Sequence, residues 1–80
     1  MGDFDLLTDD ALLSEIGRRL AQRRIDFQLT QATLAEEAGV SKRTIERMEA
    51  GKAAQTLSLI RVLRVLDLLS GFDQLFPRSG

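Results

Sequence analysis

The tripeptide Gly39-Val40-Ser41, set between two short amphipathic stretches, constrains this chain more than any other feature. Upstream, residues 31–38 read as a helix with Leu34, Ala35 and Ala38 facing inward, and Thr30 stands where a side-chain oxygen caps the first free N–H groups. Gly39 then falls where a helix end favours a left-handed residue, a conformation only glycine adopts without steric cost. Ser41 is placed to cap a further helix, expected over residues 42–50 and ended by Ala50-Gly51. Two short helices joined by a three-residue turn containing glycine make a helix-turn-helix. A generic helical hairpin shares that glycine, so the flanking residues must separate the two.

Those flanks are helical as well. After a lead-in over residues 1–8, Thr8 can cap a helix over 9–26 whose first turn carries Asp9 and Asp10, where carboxylates suit the positive helix end. Its apolar stripe is Leu12, Leu13, Ile16 and Leu20, with Phe27 expected to continue it. Lys52 to Gln55 is a connector, and Thr56 is expected to cap a helix over 57–69. Leu59, Val62, Leu63, Leu66 and Leu69 share one side of that helix, while Leu57, Val65 and Leu68 lie on the other. An amphipathic helix needs one apolar face, and this one has nearly two. Ser70-Gly71 breaks the pattern, a short fifth helix or last turn is expected over 71–76, and residues 77–80 form a tail. There is no strand-like alternation and no repeat, so the expected fold is a single all-α domain over residues 1–80.

Composition removes whole classes of chemistry. The 80 residues include no cysteine and no histidine. Disulfides, thiolate nucleophiles, zinc sites built on Cys or His, and imidazole acid–base catalysis are therefore absent. Nothing resembles an Asp-rich twelve-residue calcium loop. No cofactor, no metal and no enzymatic activity are expected. A domain this small often needs a staple, which leaves a partner subunit. The longest apolar stretch, Leu57 to Leu69, is broken by Ser58, Arg61, Arg64 and Asp67. No membrane association is expected, and the default location is the cytoplasm.

Net charge is −1, yet it is unevenly spread. Asp3, Asp5, Asp9, Asp10 and Glu15 make the first fifteen residues purely acidic, whereas residues 16–64 carry ten lysines or arginines against five acids. A phosphate-facing surface would have to lie in that basic middle. The bland alternative is a mixed solvated surface.

The helix over 42–50 is the most informative. Ile45 and Met48, with Thr44 beside them, point inward, and Lys42, Arg43, Glu46 and Arg47 share the opposite face. Arginine can bond a guanine edge bidentately, lysine in the first turn can reach a base or a phosphate, and a glutamate can accept from a cytosine amino group or hold a neighbouring arginine. These four are the candidate base readers; an ordinary solvated helix face is the competing reading. Gln31, at a helix start where free N–H groups favour an anion, is a candidate phosphate contact or simply an exposed first-turn residue. Ser41, Thr44 and Lys52 join it as candidate phosphate contacts. Arg24, on the stripe of the first helix, and Glu49, on the inward edge of the third, are charges placed where a lone charge is costly, so each is the other's natural partner. A catalytic role for Glu49 has no accompanying His, Cys, second acid or phosphate loop.

Thr30-Gln31, Leu34-Ala35, Ala38-Gly39-Val40-Ser41, Thr44-Ile45 and Glu49-x-Gly51-Lys52, with Ile16-Gly17-x-x-Leu20 and Arg24 upstream, together resemble the phage-repressor/Cro-type, or xenobiotic-response-element, helix-turn-helix family. The resemblance covers Ile16 to Leu66. It implies a compact five-helix lambda-repressor-like domain with the helix-turn-helix at helices 2 and 3, a homodimer, and double-stranded DNA bound at a two-fold symmetric operator. It further implies that Gln31 contacts phosphate, that Lys42, Arg43 and Arg47 read bases or contact phosphate, and that Arg24 and Glu49 form a buried ion pair. Thr56 stands near the place where relatives often carry proline, and the lead-in is longer than in many of them.

The function expected is a sequence-specific transcriptional regulator, acting as a repressor that occludes a promoter. Val65, Leu68, Leu69, Phe72, Leu75 and Phe76 are the candidate dimer interface; alternatively Phe72 and Phe76 fold back to finish the monomer core. Leu63 to Phe76 also loosely resembles the end of antitoxin-like regulators, which would add a toxin protein as partner. An adaptor that binds protein and no DNA is the reading from another class.

Overall fold

The computed structural model describes residues 6–78; Asp3, Phe4 and Asp5 of the acidic lead-in and Ser79 and Gly80 of the tail lie outside the described residues. Among the described residues the fold is all-helical. Helix α1 spans Asp9–Asp26, α2 Gln31–Ala38, α3 Lys42–Glu49 and α4 Thr56–Val65; a 3-10 turn, Leu69–Gly71, leads into a short α5, Phe72–Leu75. None of these helices is long and apolar enough to cross a membrane.

Local chemistry fixes most helix starts. The hydroxyls of Thr8, Thr30 and Ser41 each accept a hydrogen bond from the N–H three residues on, at Ala11, Thr33 and Thr44. That capping satisfies donors the first turn cannot use internally. Helix α4 differs from expectation. Thr56 is already helical, and the extended residue before it, Gln55, makes no side-chain cap bond.

All four longer helices end the same way. A left-handed residue follows the last turn, at Gln28, Gly39, Gly51 and Asp67. The next N–H then reaches back to a carbonyl five residues earlier: Leu29 to Arg24, Val40 to Ala35, Lys52 to Arg47 and Leu68 to Leu63. This paired closure satisfies the last carbonyls and turns the chain back onto the helix. Leu29, Val40 and Leu68 consequently pack against the core.

The same closure corrects the expected helix over 57–69. The apolar pattern runs on to Leu69, but the helix stops at Val65 because Asp67 adopts φ 57° and folds Leu68 back. Leu68 is thus apolar because it seals the end of α4. Val65 also packs against the core, so neither residue belongs to a separate outer face. Helix α3 likewise closes at Glu49, with Ala50 as its cap residue.

The core is Leu20, Leu34, Ala35, Ala38, Ile45, Met48, Val62 and Leu66. It draws on α1, α2, α3, α4 and the cap residue that ends α4. Phe27 does not continue the α1 stripe. It caps that helix, partly exposed, with the Arg23 guanidinium 4.9 Å from its ring centroid. Arg23 also donates to the carbonyls of Leu66 and Asp67, at 2.9 and 3.4 Å, tying the end of α1 to the end of α4.

Helix α1 crosses α3 at very short range. A Cβ on Gly17 would lie 2.4 Å from the Met48 carbonyl oxygen, and one on Gly51 would lie 2.8 Å from the Ser14 Cα. Two glycines thus let α1 settle onto the last turn of α3 and fix that helix at its inner face.

Candidate nucleic-acid interface

Helix α3 has two faces of opposite character. Ile45 and Met48 are buried, while Lys42, Arg43, Glu46 and Arg47 are exposed on the other side. Among the described residues the side chains of these four form no hydrogen bond or ion pair within the chain; in particular, Glu46 does not hold Arg43 or Arg47. Three cations and one carboxylate therefore stand outward, unspent, on a helix whose inner face is locked.

Ser41 and Thr44 sit at the start of this helix with their hydroxyls 2.9 Å apart. Ser41 is exposed and Thr44 half-buried. Thr44 and Arg47 border a shallow hollow completed by Ala53, Ala54, Gln55 and Ser58, so the connector and the uncapped start of α4 adjoin the outward face of α3. Where these connector residues lie depends on how the chain turns at Gly51, which no local pattern in the sequence fixes. Lys52 is exposed and borders a different feature, an apolar cleft with Leu13, Ile16, Leu20, Met48, Ala54 and Leu59.

The structure brings Arg24 and Glu49 together as a bidentate pair. Arg24 Nε donates to Glu49 Oε2 at 2.6 Å and Nη2 to Oε1 at 3.0 Å, while Nη1 donates to the Leu29 carbonyl at 2.8 Å. The side chains are only 15% and 10% exposed. The hydrogen bond to Glu49 raises the Arg24 pKa above its ordinary value, burial opposes the rise, and the carboxylate charge adds to it. The planar fork-to-fork geometry is the strong form of such a pair. Gln31 joins it: its Nε2 donates to Glu49 Oε1 at 3.0 Å. A half-buried Gln31 whose amide is engaged in this way differs from the simply exposed residue that position alone allowed.

The candidate dimer residues divide. Val65 and Leu68 pack on the core, Leu69 and Phe72 are half-buried, and Leu75 and Phe76 are 69% and 72% exposed. The Phe72 and Phe76 rings meet edge to face with centroids 5.8 Å apart. Phe76 does not fold back into the monomer core.

The sequence profile of the helix-turn-helix domain family matches residues 15–74. The chain belongs to the helix-turn-helix domain family. Its likeness to the phage-repressor/Cro type agrees with this, and the match extends through the 3-10 turn and most of α5. The helix-turn-helix domain is also similar to the HTH-type transcriptional regulator PrtR of Pseudomonas aeruginosa, at 46% identity over 48 residues. That stretch is 60% of this chain and 19% of the regulator. Within the family frame, α2 and α3 are the two helices of the motif and α3 is its second helix.

Proposed function

We propose that this chain is the DNA-binding part of a transcriptional regulator, and that it reads sequence by laying the outer face of α3 in the major groove. The single observation that carries the reading is the set Lys42, Arg43, Glu46 and Arg47, exposed and unpaired on a helix fixed through Ile45, Met48 and Gly17. The family and the likeness to a named transcriptional regulator support it. Arg43 and Arg47 read purine edges, Lys42 reaches a base or phosphate from the first turn, and Glu46 selects for cytosine or against a phosphate. Gln31, Ser41, Thr44 and Lys52 are the backbone contacts that set register.

The active species is a homodimer that needs no cofactor, with Leu69, Phe72, Leu75 and Phe76 at its interface. Two α3 helices then fall about 34–36 Å apart, one turn of DNA, on a palindromic operator. Repression follows from occlusion of a promoter, in the cytoplasm. Exposure of Leu75 and Phe76 also suits a protein partner such as a toxin.

Selection from a randomised duplex library at about 150 mM salt tests this, because binding by phosphate contacts alone fades there. Enrichment of a two-fold symmetric site is the expected result. Arg43→Ala and Arg47→Ala should each weaken binding to that site by roughly 1–3 kcal/mol. A folded chain that enriches no sequence favours the adaptor reading, and a half-site without symmetry removes the dimer.

A further inference from the structure

We propose that Glu49 is a positioning residue for DNA binding, which aims the Gln31 amide at the phosphate backbone. This rests on the DNA-binding reading above. It is carried by the sharing of one carboxylate: Oε1 of Glu49 accepts from both Arg24 Nη2 and Gln31 Nε2, each at 3.0 Å, while Oε2 accepts from Arg24 Nε.

An ionised carboxylate can only accept, so Gln31 must turn its NH2, and not its carbonyl, toward Glu49. That selects one of two otherwise similar amide orientations. One N–H is held by Glu49 and the second remains to donate to a phosphate oxygen. A negative group so near a phosphate is tolerable because Arg24 neutralises it through two hydrogen bonds, and Arg24 is itself anchored on the Leu29 carbonyl. The tie between α1 and α3 therefore continues into α2. A glutamine held in this way loses little rotamer freedom when DNA arrives, whereas a loose one must be ordered at that moment. Glu49 does not itself touch DNA.

Side-chain 15N relaxation of the free protein is the first test. The Gln31 NH2 should approach backbone rigidity, with an order parameter of about 0.8, and the exposed Gln55 and Gln74 should fall below about 0.6. A Gln31 amide as mobile as that of Gln55 overturns the proposal, and no variant has to fold for this arm. The second test measures a random-sequence duplex at about 50 mM salt against Glu49→Gln, Gln31→Ala and the double variant, with folding checked by circular dichroism. Each single change should weaken binding roughly three- to tenfold, and the double no more than Gln31→Ala alone. The salt slope should stay constant, since no ionic contact is lost. Losses that multiply, or a steeper slope from a released Arg24, overturn the positioning role while leaving DNA binding intact. A parent chain that binds no duplex removes the DNA-binding reading and this proposal together.

Discussion

The junction of α1 with α3 and the segment from Leu69 to Phe76 solve the problem of a small domain in opposite ways. At the junction the closest contacts and the buried charges are met inside the chain: Gly17 meets the Met48 carbonyl, Gly51 meets Ser14, and Glu49 meets both Arg24 and Gln31. In the C-terminal segment no described residue is buried, and two large apolar side chains face outward. Just before it, the Arg23 bonds to Leu66 and Asp67 and the packing of Leu68 tie the chain to the core, and within it one edge-to-face pair joins Phe72 and Phe76. One region meets its charges and its tightest backbone contacts within a single chain. The other leaves Leu75 and Phe76 largely exposed.

The contrast can be broken most forcefully at Glu49. Glu49→Ala leaves Arg24 half of a buried pair, and should cost about 3–5 kcal/mol of stability in denaturant titration. An unchanged midpoint would mean that the pair contributes nothing. Next is Gly17→Ala, where the added methyl has only backbone to meet, so α1 and α3 must separate. About 1–3 kcal/mol is expected, with the loss seen in the same titration. Arg23→Ala attacks the other region and should cost about 1–2 kcal/mol, because two carbonyls at the end of α4 lose a charged donor. Hydrogen exchange should then speed up beyond Val65 and stay slow in α3.

Paired substitution of Leu75 and Phe76 by serine should change monomer stability by less than about 0.5 kcal/mol. The same variant should sediment as a monomer at concentrations where the parent associates. A large loss of stability would show that the C-terminal segment is core after all. Replacing Asp67 by glycine should act in the opposite sense, with a gain of about 0.5 kcal/mol, as left-handed strain is relieved against the added freedom of the unfolded chain.

The helix ends explain what could be read in the sequence. The starts of α1, α2 and α3 are legible because Thr8, Thr30 and Ser41 act on N–H groups three residues away, a local event. The closures at Gly39 and Gly51 are legible because glycine advertises a left-handed residue. Gln28 and Asp67 adopt the same conformation without advertising it, so the apolar run through Leu68 and Leu69 read as continuing helix when the chain had already turned. The all-helical class follows from periodicity, which needs no knowledge of crossings. The outward grouping of Lys42, Arg43, Glu46 and Arg47 follows from the same period. The Gln31 bond to Glu49, the approach at Gly17 and the hollow beside Arg47 depend on where helices cross, and no local pattern encodes that.

Helix α3 is held from behind, and under the proposed reading this separates what the protein would recognise from whether it folds. The side chains of Lys42, Arg43, Glu46 and Arg47 form no hydrogen bond or ion pair among the described residues, so the scaffold keeps no record of their identity. Other helix-compatible side chains at those four places would leave the core, the caps and the glycine crossings as they are. If these four read DNA, a lineage could therefore rewrite its target one position at a time without first acquiring spare stability, and an engineer could vary the same four positions among helix-compatible residues in a library whose members remain foldable.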